Sequence, residues 1–85
     1  MSWRVEWTER ALKDAAALDR QVRERVLRAI ERLADTGQGD VRMLRGSHGK
    51  LRLKVGAWRV RFQFDHEAMT ITILHVRPRG SAYRD

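Results

Sequence analysis

The sequence predicts an α+β fold in which two helices cover one face of an antiparallel sheet. Two observations indicate this fold. Up to residue 35, most apolar residues lie three or four positions apart, which is the spacing of a helix packed on a core. After the segment 36–40 (TGQGD), apolar and polar residues alternate, as they do along a strand with one buried side. Because 85 residues suffice for one small core, we expect a single domain over residues 1–85.

A short N-terminal strand is the first predicted element. Trp3, Val5 and Trp7 alternate with Arg4 and Glu6, so one side of this segment is apolar and the other is charged. We therefore expect a half-buried strand over these residues.

Two helices follow as a predicted hairpin. Thr8 and Asp19 are residue types that accept a hydrogen bond from the first turn of a helix, so each is expected to begin one helix. Gly37 can adopt the left-handed conformation that ends the second helix. The residues expected to face the core are Ala11, Leu12, Ala15, Ala16 and Leu18 in the first helix and Val22, Val26, Ala29, Ile30 and Leu33 in the second.

The segment 51–64 (LRLKVGAWRVRFQF) predicts a β-hairpin with Gly56 and Ala57 as a two-residue turn. The register that this turn fixes gives one apolar side, with the pairs Val55–Trp58, Leu53–Val60 and Leu51–Phe62. The other side, which we call the basic face, carries the pairs Arg52–Arg61 and Lys54–Arg59.

A further antiparallel strand is predicted for residues 69–76 (MTITILHV), after a four-residue connection over residues 65–68. The register expected for this strand gives the pairs Phe64–Met69, Phe62–Ile71 and Val60–Ile73. Strict alternation would place His75 on the apolar side, beside Trp58. The sheet thus has at least three consecutive antiparallel strands, and the helices are expected to cover its apolar side.

Positive charge is concentrated on the basic face. Seven basic residues and no acidic residue occur from Arg42 to Arg61. Like charges directly opposite each other destabilise a sheet, so a bound polyanion explains this concentration better than folding does. A solubilising surface, the ordinary alternative, normally mixes both signs. The formal net charge of +7 agrees with an acidic partner such as nucleic acid.

Several classes of function are excluded by what the sequence lacks. With no cysteine, disulfide bonds, a thiol nucleophile and a thiolate zinc site are excluded. His48, His66 and His75 do not have the spacing of metal ligands, so we expect neither a metal nor another cofactor. No run of 18 apolar residues and no apolar signal-peptide core occur, so we expect a cytoplasmic protein without a membrane segment.

The C-terminal segment 77–85 (RPRGSAYRD) offers Arg77, Arg79 and Tyr83 directly after the last strand. Pro78 cannot donate a hydrogen bond to the sheet and Gly80 lets the chain turn, so these side chains can reach the basic face. Arginine binds phosphate oxygens in pairs, a lysine crowded by cations loses its proton more readily, and a tyrosine ring stacks on a base. Such groups suit either simple binding of RNA phosphates or RNA cleavage by a ribose 2′-hydroxyl.

Taken in order over the whole chain, these elements resemble the RelE/ParE superfamily of bacterial toxins. The resemblance rests on the opening segment 3–19 (WRVEWTERALKDAAALD), on 43–46 (MLRG), on the hairpin and on the ending 74–84 (LHVRPRGSAYR). In the RelE branch, the first hairpin strand commonly has a basic, an apolar and a basic residue, here Arg52, Leu53 and Lys54. An aromatic residue, an arginine and an apolar residue follow the turn, here Trp58, Arg59 and Val60.

The resemblance implies a RelE-like toxin of a type II toxin-antitoxin system, with a single RelE-like domain over residues 1–85. Its implied activity is that of a ribosome-dependent endoribonuclease (mRNA interferase), which cleaves messenger RNA by metal-independent attack of a ribose 2′-hydroxyl. The implied catalytic residues are Lys54, Arg59, Arg79, Tyr83 and Arg52. The residues expected to contact RNA are Arg45, Lys50, Arg61 and Arg77.

The resemblance also implies a role for each catalytic residue. One of the two basic residues on the first hairpin strand serves as general base, and Lys54 is the better candidate because arginine does not readily lose its proton. Arg59 matches the arginine that stabilises the phosphate in the transition state, and Tyr83 matches the tyrosine that stacks on the substrate nucleotide. Alignment from the last strand selects Arg79 as the second arginine, whereas counting back from Tyr83 selects Arg77; we prefer Arg79.

The partners implied are a cognate antitoxin, the ribosome and messenger RNA, with operator DNA bound only through the toxin-antitoxin complex and no membrane. The antitoxin is expected to wrap the toxin with its C-terminal segment and to block the basic face. Two alternatives stay open: a ParE-like toxin that inhibits DNA gyrase by binding and cleaves nothing, and a family member that only binds RNA. Retention of the basic and tyrosine set favours the nuclease.

Overall fold

The computed structural model of the protein describes residues 2–43 and 49–82, with the backbone alone for residues 81 and 82. Within these ranges the elements are β1 (Arg4–Trp7), α1 (Glu9–Ala16), α2 (Arg20–Thr36), β2 (Asp40–Met43), β3 (Lys50–Val55), β4 (Trp58–Asp65), β5 (Thr70–Pro78) and α3 (Arg79–Ala82). The predicted α+β fold is confirmed. None of the helices in these ranges is long and apolar enough to cross a membrane.

The helical hairpin begins and ends at the residues that the sequence indicates. The side chain of Thr8 accepts a hydrogen bond from the backbone N–H of Ala11 at 3.1 Å, and Asp19 does the same for the first turn of α2. Gly37 ends α2 in the left-handed conformation (φ 75°), and its N–H donates to the carbonyl of Leu33 at 2.9 Å. Glycine adopts this conformation without a steric penalty, which explains the helix end.

The described strands form one sheet with the order β1-β5-β4-β3-β2. β1 is parallel to β5, and the other neighbours are antiparallel. The sequence did not predict β2 as a separate strand. It pairs with β3 at the edge of the sheet, where Asp40 is opposite Lys54 and Arg42 is opposite Arg52.

The register of the β3–β4 hairpin agrees with the prediction. Gly56 (φ 59°) supplies the positive φ that a two-residue hairpin turn requires. The apolar pairs are Val55–Trp58, Leu53–Val60 and Leu51–Phe62, and the basic pairs are Lys54–Arg59 and Arg52–Arg61.

The predicted register of β4 with β5 is wrong by two residues. The turn spans residues 66–69, with Met69 in the left-handed conformation (φ 51°), so β5 begins opposite Asp65 at Thr70. An N–H of Ala68 donates to the Asp65 carboxylate at 3.1 Å and stabilises this longer turn. The apolar pairs are consequently Phe64–Ile71 and Phe62–Ile73.

A bulge in β5 is the second feature of this strand that the sequence analysis did not predict. Phe62 pairs with Ile73 but its neighbour Arg61 pairs with His75, so Leu74 is the extra residue. The extra residue reverses which side of the sheet each later residue of β5 faces. Val76 consequently faces the core, opposite Val60. His75 therefore lies on the basic face, not on the Trp58 side as strict alternation predicted.

The core lies between the helical hairpin and the apolar side of the sheet. Its strand residues include Val60, Phe62, Ile71 and Ile73, all fully buried as predicted, whereas Trp58 is half-buried at the margin. The helices contribute Ala11, Leu18, Val26, Ile30, Leu33 and Ala34. Leu12 and Ala16 were expected in the core but are exposed. α1 packs on β5 and β1 at one side of the sheet, so only a narrow stripe of that helix is buried.

We predict that Ile30→Ala lowers the free energy of unfolding by about 2–5 kcal/mol, because it removes a fully buried side chain that joins α2 to the sheet. The measurement is urea denaturation followed by circular dichroism. Leu12→Ala is the matched control, since Leu12 is exposed, and it should change the free energy by less than about 0.5 kcal/mol. Equal losses for the two variants would contradict the assignment of the core.

Candidate nucleic-acid interface

Two rows of side chains cross the basic face from β2 to β5. The first, which we call the His75 row, consists of Arg42, Arg52, Arg61 and His75. The second, which we call the Arg77 row, consists of Asp40, Lys54, Arg59 and Arg77. Neighbours within a row are directly opposite each other, so their Cβ atoms are about 4.5–5.5 Å apart. Six cationic side chains thus share this part of the sheet with a single carboxylate.

Arg52 lies at the centre of the His75 row and is only 8% exposed. Its Nη1 is 4.0 Å from Asp40 Oδ1, which is an ion pair at the limit of contact. Among the described residues, no hydrogen-bond acceptor reaches its Nε or Nη1, although both atoms are buried. Burying a charged group without hydrogen bonds is costly, so this guanidinium is well placed to receive an anionic oxygen.

Arg59 in the Arg77 row is also buried, at 5% exposure. Its Nη1 donates to the carbonyls of Gly56 at 2.8 Å and Trp58 at 2.9 Å. These bonds hold the guanidinium against the hairpin turn, while its buried Nε has no acceptor among the described residues. The side chain is therefore fixed by the backbone before any ligand binds.

The remaining predicted residues of the sheet differ in exposure. Lys54 is exposed, whereas Lys50, Arg61 and Arg77 are half-buried. Lys50 lies one row beyond the His75 row, opposite Gln63. The structure thus brings Arg52, Lys54, Arg59, Arg61 and Arg77 into adjacent rows and leaves Lys50 at their margin.

Arg79 is the first residue of α3, and its backbone N–H donates to the carbonyl of Ala57 at 2.9 Å. This bond ties the start of α3 to the same turn that Arg59 contacts, although the Arg79 side chain is exposed. Arg45 and Tyr83, which the sequence analysis assigned to RNA contact and to base stacking, lie outside the described residues.

His75 is one of three residues in these rows that the sequence analysis did not assign to the site. It is 7% exposed and faces Arg61 across the bulge, with Arg77 two residues further along the same side of β5. Burial, which is the largest cause, and the charges of Arg77 and Arg61 together lower the pKa of His75 from 6.5 to about 4, although Asp14 acts to raise it. An uncharged imidazole therefore lies among the cations at neutral pH. Arg42 and Asp40 were also missed, because β2 was not predicted to pair.

The comparisons with known proteins agree with this fold. A family model described as the ParE toxin of type II toxin-antitoxin systems (parDE) matches residues 5–83. No curated protein matches the chain significantly.

Solved structures of RelE proteins are similar to the chain throughout. A chain of the toxin-antitoxin complex RelBE2 from Mycobacterium tuberculosis is 23% identical, with a TM-score of 0.83 and 93% of each chain covered. A chain of the archaeal RelE-RelB complex from Pyrococcus horikoshii is 26% identical, with a TM-score of 0.79. The match covers 96% of the present chain and 100% of that chain. A mutant of the Escherichia coli toxin RelE in the free state is 22% identical, with a TM-score of 0.78, 96% of this chain and 88% of that chain being covered.

We predict that acidification destabilises the protein through His75. Its pKa is lower in the folded state than the ordinary 6.5, so its stabilising contribution is complete above pH 6.5 and is lost as the pH falls toward 4. The free energy of unfolding should fall by about 3 kcal/mol over this range, since a pKa difference of one unit corresponds to roughly 1.4 kcal/mol.

The measurement is the free energy of unfolding at several pH values for the wild type and His75→Gln. The curve of the variant should be flatter between pH 6.5 and 4, because glutamine does not titrate. His66→Gln, at an exposed histidine in the β4–β5 turn, is the control and should follow the wild type. Parallel curves for wild type and His75→Gln would show that His75 is not the group that titrates.

Proposed function

We propose that this chain, which belongs to the ParE toxin family of type II toxin-antitoxin systems within the RelE/ParE superfamily, acts as an endoribonuclease on ribosome-bound messenger RNA. The observation that carries the proposal is the convergence of six cations in the His75 and Arg77 rows, two of them buried. Folding gains nothing from opposing like charges on a sheet, whereas a phosphate chain is stabilised by each of them.

The buried arginines support phosphate transfer as well as binding. A guanidinium fixed in a poorly solvated site interacts more strongly with a developing negative charge than one that must be reoriented from water. Arg59 is fixed by two backbone carbonyls, and Arg77 is directly opposite it in the register. In the proposal, Arg59, Arg77 and Arg79 stabilise the pentacovalent phosphate, and Arg52 binds a neighbouring phosphate oxygen.

The proposed reaction begins when a ribose 2′-hydroxyl attacks the adjacent phosphorus. The 2′-oxygen forms a bond to phosphorus, the bond to the 5′-oxygen breaks, and the 5′-oxygen takes up a proton. Lys54 is the proposed base for the 2′-hydroxyl proton, because it is exposed to incoming RNA and lies directly opposite Arg59. Tyr83 is proposed to stack on the substrate nucleotide, and Arg45, Lys50 and Arg61 to contact its phosphates.

A cognate antitoxin is the proposed protein partner. Two of the three similar structures described above, those from Mycobacterium tuberculosis and Pyrococcus horikoshii, are toxin-antitoxin complexes, and this supports an antitoxin that binds the present chain. In the proposal the antitoxin covers the basic face and prevents access of RNA. The toxin then meets operator DNA only through that complex.

Inhibition of DNA gyrase is the second candidate function, and the family model favours it because the model describes ParE toxins. In this alternative the basic face binds a macromolecule but cleaves nothing. The two functions differ in whether single side chains of the Arg77 row are needed for chemistry or only for affinity.

We predict that Lys54→Ala lowers kcat for cleavage of ribosome-bound message by about 10²–10⁴-fold, as loss of a general base does. Affinity for the ribosome should fall much less, because five other cations remain in the two rows. The measurement is primer extension on translated message with purified ribosomes. Lys13→Ala is the matched control, since Lys13 is an exposed lysine on α1, and it should cleave at the wild-type rate.

A gyrase supercoiling assay on the same preparations separates the two functions. Gyrase inhibition by both the wild type and Lys54→Ala, with no cleavage of message by either, would refute the nuclease proposal and favour the second candidate.

We also predict that RNA affinity falls steeply with salt. For single-stranded RNA, the slope of log K against log salt concentration is about −0.7 for each phosphate neutralised, so Arg42→Gln should make the slope less negative by about 0.7. Arg42 is exposed at the edge of the His75 row, so its loss should not disturb the core. Arg20→Gln on α2, where the arginine pairs with Glu24, is the control and should leave the slope unchanged. A salt-independent affinity would exclude the basic face as the contact surface.

A further inference from the structure

The bulge at Leu74 decides which side chains of β5 reach the basic face. Without the extra residue, the register that pairs Phe62 with Ile73 would continue and place His75 and Arg77 on the apolar side. The Arg77 row would then lose its arginine on β5, and Val76 would leave the core. The composition of the proposed site therefore depends on one irregularity in the backbone.

Thr8 binds the backbone at the start of this bulge. β1 ends at Trp7, opposite Ile73, and the next residue turns away to begin α1. The Thr8 N–H donates to the Ile73 carbonyl at 3.1 Å, and its hydroxyl lies 2.9 Å from that oxygen and 3.1 Å from the carbonyl of Leu74. The single hydroxyl proton of Thr8 is thus within hydrogen-bonding distance of two successive carbonyls, at the point where the pairing of β5 with β4 changes register.

Asp14 binds the backbone at the end of the bulge. Its Oδ2 accepts a hydrogen bond from the N–H of Val76 at 2.9 Å, and its other oxygen is 3.6 Å from Arg10 Nε. The carboxylate is 19% exposed. On the side of β5 away from β4, the pairing with β1 ends at Ile73, so this carboxylate takes the place of a neighbouring strand as acceptor there.

We propose that Thr8 and Asp14 are positioning residues that hold the bulge and so direct His75 and Arg77 to the basic face. The part of this inference that concerns activity rests on the proposed ribonuclease function; the part that concerns the backbone does not. Thr8 caps α1 and Asp14 lies within it, so in the proposal they act on RNA through the backbone of β5 that they bind. The sequence gives no sign of this link, as 62 to 66 positions separate the partners.

The hydrogen-bonding capacity of each residue can be changed separately from its other roles. Asp14→Asn keeps an oxygen that can accept from Val76 but removes the charge that faces Arg10 and acts on His75, whereas Asp14→Ala removes both. Thr8→Asp keeps the helix cap and the backbone N–H that donates to Ile73, but its side chain cannot donate to the carbonyls of Ile73 and Leu74. Glu9→Ala is the matched control, since Glu9 is an exposed carboxylate of α1 whose ion-pair partner is Lys13.

The first measurement is structural and is made by NMR on the folded protein. Asp14→Ala should accelerate hydrogen exchange of the Val76 amide at least tenfold relative to that of Ile30 in α2, and should weaken the cross-strand contact between Arg61 and His75. Asp14→Asn and Glu9→Ala should resemble the wild type. Unchanged protection of Val76 in Asp14→Ala and an unchanged contact between Arg61 and His75 would overturn the proposal.

The second measurement is cleavage of ribosome-bound message. Asp14→Ala and Thr8→Asp should lower kcat at least tenfold with little change in KM, while Asp14→Asn restores most of it. An Asp14→Asn variant as defective as Asp14→Ala would mean that the charge matters and not the hydrogen bond, and this also overturns the proposal. If the wild type cleaves nothing, the proposed function fails and the NMR measurement still decides whether Thr8 and Asp14 hold the bulge.

Discussion

Burial of the apolar side of β4 and β5 is the interaction on which the rest of the structure depends. Phe62, Ile71 and Ile73 are fully buried, and burial of a side chain of this size contributes roughly 1.5–3 kcal/mol. A cross-strand pair contributes or costs roughly 0.2–1 kcal/mol. The free energy gained by apolar burial therefore exceeds the cost of the like-charge pairs. Because side chains alternate along a strand, burial of the apolar side places Arg59 and Arg61 on the other side, opposite the cations of β3. The basic face is a geometric consequence of the core behind it, and the fold tolerates its repulsion.

Part of that electrostatic cost is concentrated at two arginines. Arg52 and Arg59 are each less than a tenth exposed, and the described residues leave buried nitrogen atoms of both without an acceptor. Asp40 neutralises Arg52 weakly, at 4.0 Å, and is itself about half exposed. An anionic oxygen bound among these groups would remove repulsion and supply the missing acceptors at once. In the proposed function, phosphate binding would therefore gain from relief of this unfavourable arrangement as well as from new attraction.

The parts of the molecule that the sequence predicts are those governed by local rules. The β3–β4 register could be predicted because a two-residue turn at Gly56 and Ala57 leaves no freedom, and this placed Arg52, Lys54, Arg59 and Arg61 correctly on one face. The β4–β5 register could not be predicted, because the turn contains Met69 with a positive φ. Residues other than glycine rarely adopt this conformation, so the sequence does not indicate it. The bulge was unpredictable for a different reason: the side chains bonded to it belong to the other end of the chain. His75 was therefore assigned to the wrong side of the sheet.

The fold alone does not separate a nuclease from a gyrase inhibitor, since one fold can carry different functions and the function depends on the residues of a site. The argument must therefore come from the basic face. Inhibition by binding needs complementary charge over a broad surface, for which exposed, mobile lysines and arginines suffice. Stabilising a pentacovalent phosphate needs donors held in place, and two backbone carbonyls hold Arg59 in this way. Fixing and burying a guanidinium adds nothing to long-range attraction and costs desolvation, so the arrangement of Arg59 is an argument for the proposed ribonuclease over inhibition by binding alone.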